Sequence, residues 1–154
     1  QRQFAFAKAY QGSLLIAPEL KRRREQMAKV SQCYQKVITN FPNDSNYVSL
    51  TYLELGDCAA QSDDMNGAIS YYQKAAQVSP EDFVQARSQF SIARIYNMQE
   101  RYVEAKAIFK SIVDKYGNTQ SARVKDVVQR SAQLYYQVVD PSEKKAMQDA
   151  ALKR

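Results

Sequence analysis

The sequence contains no histidine and no tryptophan, and only two cysteines, four glycines and four prolines in 154 residues. Each scarcity closes off a class of protein. Without histidine there is no Ser-His or Cys-His nucleophile pair, no imidazole general base and no imidazole metal ligand. Cys33 and Cys58 cannot complete a structural zinc site alone, and two cysteines are too few for a disulfide-dense secreted scaffold. The reading is of thiols that pack as small hydrophobes, with a single bridge between them left open. So little Gly and Pro argues against disorder, collagen and loop-rich β folds. No apolar run approaches the roughly 18–20 residues that span a bilayer, and no signal peptide is visible. Gln1 rather than Met opens the sequence, so a processed or excised chain is expected.

What is present is charge, unevenly placed. The net charge is +6. Residues 1–48 carry eight basic and three acidic side chains, whereas residues 49–82 carry one and six. The densest basic stretch is Lys21, Arg22, Arg23 and Arg24. Such a run reads either as a solvated helix face or as a basic patch for an acidic partner or RNA. Asn43-Asp44-Ser45 fits an N-glycosylation acceptor, a tripeptide common by chance. There is no GxGxxG, no P-loop, no metal-ligand cluster and no nucleophile motif. Glu54, Asp57, Asp63 and Asp64 read as solvated carboxylates. The expectation is a non-enzyme with no catalytic residue, no metal and no cofactor.

The chain repeats itself. Tyr34, Tyr72 and Phe109 recur at intervals of 38 and 37, as do the breakers Pro42, Pro80 and Gly117. Gly56 and Ala93 lie 37 apart with Ala132 following, and Ala68 pairs with Ala105 at the same interval. Within each unit, apolar or small residues return every three or four positions, which is the period of a helix. Polar turns such as Gln61–Asn66 separate the helices and carry capping residues. Each unit is therefore a helix, a tight turn and a helix. Strand signals are absent.

These residues resemble the tetratricopeptide repeat family. The best copy holds Tyr52, Leu55-Gly56, Ala59, Ala68, Tyr72, Ala75 and Pro80 in the signature slots. The next gives Ile92-Ala93, Tyr96, Ala105, Phe109, Ile112 and Gly117, and a third keeps Ala132 and Tyr135. The resemblance implies an all-α, right-handed α-solenoid of antiparallel helix pairs, about three and a half of them. It reads as one domain over 1–154, with approximate repeats 1–42, 49–82, 86–117 and 122–154. The first helix is placed at Phe4–Ile16, and the last, Asp140–Arg154, is a solvated end helix. The period exceeds the ~34 residues of the common form. Links such as Phe41–Ser45 resemble a long-linker variant found in bacterial cell-envelope scaffold lipoproteins, and similar links occur in eukaryotic assembly subunits. Localisation is left open, with a lean to the bacterial envelope.

Stacked pairs share a core and curve around a groove. Small residues such as Gly56 and Ala93 fit close helix approaches, and Tyr52, Tyr72, Tyr96, Phe109 and Tyr135 fill between helices. The faces left over would line the groove: Leu53, Asp57 and Gln61, then Arg87, Phe90, Arg94, Asn97 and Met98, then Gln129, Gln133 and Tyr136. Phe90 fits core and groove about equally well. Arg87 and Arg94, seven apart on one face, are placed to meet one carboxylate-bearing ligand. Family members that hold a chaperone's C-terminal carboxylate use a Lys and Asn clamp; here those slots hold Leu53 and Asp57, so no such binding is expected. The leading expectation is a scaffold that docks a partner peptide or helix as part of a larger complex. The alternatives are a nucleic-acid-associated subunit using Lys21–Arg24, and a structural spacer with an exposed apolar end around Phe4, Phe6 and Tyr10.

Overall fold

Asp44 begins the first complete helix pair. Its carboxylate accepts from the Tyr47 N–H at 3.0 Å, which satisfies one of the donors a helix start leaves unpaired. Asp64 does the same for the next helix through the Gly67 N–H at 2.9 Å, and Ser121 through the Val124 N–H at 3.5 Å. The computed structural model describes the backbone of residues 2–138 and 141–153, and the side chains of residues 18–138, 142–143, 145–146 and 148–153. It is helical throughout: α1 Arg2–Asn40, α2 Ser45–Gln61, α3 Met65–Val78, α4 Asp82–Met98, α5 Tyr102–Tyr116, α6 Ala122–Gln137 and α7 Pro141–Leu152. Among the described residues there is no strand, and no helix long and apolar enough to cross a membrane.

The helices from α1 to α6 pack as a TPR-like solenoid, each against its chain neighbours, with α4 also against α2 and α6. Two core clusters result. Leu53, Ala68, Tyr72, Ala75, Val84, Ile92 and Ile95 fill the space between α2, α3 and α4. Phe90, Phe109, Ile112, Tyr116, Val124 and Val127 join α4, α5 and α6. The alanines Ala68, Ala75, Ala93 and Ala105 are all 0% exposed, because a larger side chain would hold the helices apart. Gly56 shows the limit of that close approach. A Cβ added there would lie 2.5–2.9 Å from three atoms of the Tyr72 ring.

The first 42 residues differ from expectation. Instead of a helix at Phe4–Ile16 followed by a second one, a single 39-residue helix runs through Pro18 to Asn40. Proline removes one ladder hydrogen bond, but the chain offers no Gly or Asn after it until Asn40, and Glu19–Arg24 is a run of strong helix formers. A turn therefore has nothing to form on. Phe4, Phe6 and Tyr10 lie outside the residues whose side chains are described. The C-terminal α7 is exposed at its described positions and meets α5 through Lys106 Nζ and Glu143 Oε2 at 3.1 Å. Cys33 and Cys58 are both free thiols. Cys58 is buried, and desolvation pushes its thiol pKa up, whereas Cys33 is exposed rather than packed.

Candidate functional site

The first helices of the pairs, α2, α4 and α6, enclose a concave cavity of about 510 Å³. Six of the expected residues line it: Asp57 and Gln61 from α2, and Arg87, Phe90, Arg94 and Met98 from α4. Arg87 and Arg94 recur two turns apart, so both reach the same opening. Phe90 is buried to 7% exposure, with its ring centroid 5.8 Å from that of Phe109 and the planes tilted by 60°, so it is core and cavity floor at once. Met98 stands at the rim, 61% exposed.

The carboxylate of Asp57 is occupied from within. Tyr72 Oη donates to Oδ1 at 2.5 Å, and Arg87 Nη2 donates to Oδ2 at 3.0 Å. Burial raises the Tyr72 phenol well above its ordinary value, and the hydrogen bond to Asp57 raises it further, so Tyr72 stays a neutral donor. Arg87 is thereby a partner of Asp57 rather than a cation held out to a ligand. Arg130 lies 3.4 Å from Asp126. Arg94 has no carboxylate partner among the described ion pairs; its guanidinium sits 5.9 Å from the Phe90 ring centroid. An exposed guanidinium beside an aromatic floor offers bidentate hydrogen bonds to a carboxylate and an apolar surface next to it.

Five expected groove residues are elsewhere. Leu53 is 3% exposed and belongs to the core, since α4 covers the middle of α2 and the cavity opens only over its last turns. Asn97 is half-buried outside the cavity, and Gln129, Gln133 and Tyr136 are exposed on α6 without lining it. In their place α6 contributes Asp126, Val127 and Arg130, while Phe83 and Ser91 add to the α4 wall. The cavity thus crosses the three helices obliquely, from the end of α2 to the first half of α6. The repeat pattern shows which face of each helix is turned inward, but not how far one helix is offset along its axis from the next. Ala60, Ile95 and Tyr72 complete the lining; Tyr72 escapes notice because its aromatic signature slot reads as packing and its hydroxyl carries no sequence signal.

Lys21, Arg22, Arg23 and Arg24 are all exposed on α1. Four consecutive positions wind through about 300° of a helix, so they do not form one basic face. Arg24 Nε donates to the Ser62 carbonyl at 3.3 Å, tying α1 to the turn after α2.

Among the described residues, helices α1 to α6 stacked in chain order, with alanine and glycine at the contacts and aromatics between, define a helical-repeat solenoid. Residues 47–116, from the first turn of α2 to the end of α5, match the tetratricopeptide repeat family model. Repeats of this family generally mediate protein–protein interaction and are typically non-enzymatic. No curated protein and no solved structure matches the chain.

Proposed function

We propose that the protein is a non-enzymatic interaction scaffold that holds a partner peptide or helix in the groove across α2, α4 and α6. The observation that supports this reading is the pairing pattern inside the cavity. Asp57 is matched by Tyr72 and Arg87, Asp126 by Arg130, and the guanidinium of Arg94 is left over beside Phe90 and Met98. The complementary partner carries a carboxylate next to an apolar side chain. The long link at 41–45 supports the finer reading of a long-linker repeat protein serving an envelope-associated assembly.

The test is affinity capture from source-cell lysate, comparing the wild-type chain with Arg94→Glu and with Lys21→Ala/Arg22→Ala/Arg23→Ala. A discrete protein captured by wild type and by the triple variant, and lost from Arg94→Glu, is the expected result. A partner retained by Arg94→Glu, or recovered material that disappears on nuclease treatment, overturns the reading.

A further inference from the structure

A second cleft lies on the other side of α4. It opens between α3 and α5, has α4 as its floor, and encloses about 690 Å³. Gln73 and Gln77 line it from α3, Gln85 and Gln89 from α4, and Lys115 and Tyr116 from α5. At about 100° per residue, Gln85 and Gln89 point roughly opposite to Arg87 and Arg94, so one helix serves two clefts. Gln85 is fixed in place. Its Nε2 donates to the Ser79 carbonyl at 3.0 Å, and its Oε1 accepts from Tyr116 Oη at 3.3 Å. Gln73 and Gln77 are exposed and Gln89 is half-buried, and among the described residues their amides have no hydrogen-bond partner.

We propose that this cleft binds an extended polypeptide segment through its main chain. Two glutamines four apart on a helix stand about 6 Å apart along its axis. The two-residue repeat of an extended chain is about 6.6–6.8 Å. In such a chain the N–H and C=O of one residue face the same edge, and alternate residues share that edge. A primary amide offers both a donor and an acceptor, so it pairs with both groups of one residue. Gln73 and Gln77 therefore meet residues i and i+2 of the segment, and Gln89 faces them from the floor. The lining suits this occupant in charge as well. Lys115 is its one ionised side chain, 5.3 Å from the Tyr116 ring centroid. A nucleic-acid strand would need several cations along its phosphates, whereas a peptide main chain carries no charge. Lys115 favours an acidic residue at one end of the segment.

The experiment selects ten-residue peptides from a random display library on the full chain. Each is synthesised and titrated against wild type, Gln73→Ala/Gln77→Ala and Arg94→Glu, with circular dichroism to establish that each variant is folded. The expected result is a peptide weakened about tenfold or more by the glutamine pair and less than about twofold by Arg94→Glu. N-methylation at two alternate residues of that peptide abolishes binding, while substituting its side chains to alanine, away from the acidic end, changes affinity less than about threefold. Three outcomes overturn the proposal: no peptide selected, peptides weakened only by Arg94→Glu, or binding that survives N-methylation. The Arg94 arm separates this cleft from the groove of the first helices, so either site can fail alone.

Discussion

The pairs α2–α3 and α4–α5 share one frame 37 residues apart, yet one holds its groove charge inward and the other presents it. Tyr72 and Phe109 occupy equivalent positions and are 3% and 0% exposed. Tyr72 carries a hydroxyl, which binds Asp57. The position equivalent to Asp57 is Arg94, and Phe109 has no hydroxyl to engage a side chain there. Packing is therefore shared between the pairs, while the groove position carries a carboxylate satisfied by Tyr72 and Arg87 in one and a guanidinium without a carboxylate partner among the described ion pairs in the other. The contact beneath differs to match: Gly56 lies under Tyr72, where its counterpart Ala93 carries a methyl and is fully buried. The turns agree in backbone despite different residues. Asp63 and Glu100 have φ of 64° and 62°, and the next N–H closes on Ala59 O and Tyr96 O, each at 2.8 Å.

The largest effect expected is on the shared packing. Phe109→Ala empties a fully buried site between α4, α5 and α6 and is expected to cost about 3–5 kcal/mol. Urea denaturation followed by circular dichroism measures it, and a loss below about 1 kcal/mol would show that this pair does not rest on Phe109. Exchanging the small residues should reveal the difference between the pairs. Gly56→Ala puts a methyl 2.5 Å from Tyr72 Cε1, so the ring must shift, at an expected cost of about 1–3 kcal/mol. A gain in stability from Gly56→Ala, the usual effect of replacing a helical glycine, would contradict the close approach.

Tyr72→Phe makes the first pair like the second. It removes a buried hydroxyl and should cost about 1–2 kcal/mol, since Asp57 keeps Arg87 as a partner. The pH dependence carries a sharper signature. The folded Tyr72 phenol is raised above its ordinary value of 10.0, chiefly by burial and then by Asp57. A raised acid keeps its proton in the folded state when the unfolded chain has lost it. Its stabilising contribution is thus full below pH 10 and declines above, by at most about 1.4 kcal/mol per pH unit. Denaturation midpoints at pH 8 and pH 11 should differ less in Tyr72→Phe than in wild type; equal differences would show that the folded Tyr72 phenol titrates as the unfolded one does and is not raised by burial and Asp57.

Much of this was legible in the residues themselves. Helices α1, α3 and α5 end at Asn40, Val78 and Tyr116, next to the breakers Pro42, Pro80 and Gly117. The inward alanines and aromatics declared themselves by period, because burial imposes one. The single α1 was missed because the repeat frame calls for two helices before Pro42, whereas the absence of turn residues after Pro18 decides the matter. Leu53 and the α6 lining were missed because offset along a helix axis leaves no periodic trace. The glutamine cleft was invisible for another reason: an amide on an exposed helix position has the same sequence signature whether it faces water or a neighbouring helix.

The smallest effect expected lies at the turns, where the backbone is the same and the caps are not. Asp64 accepts from the Gly67 N–H, but Arg101 at the equivalent position makes no side-chain cap bond and instead pairs with Glu104 and lies 4.1 Å from the Tyr96 ring centroid. Asp64→Ala removes a helix cap and should cost about 1 kcal/mol. Arg101→Ala removes only an exposed ion pair and a ring contact, and should cost less. Thermal melts of the two variants side by side test the ordering. If Arg101→Ala lowers the midpoint as much as Asp64→Ala, the cap is not what distinguishes the turns, and the shared positive-φ backbone at Asp63 and Glu100 carries their stability in both.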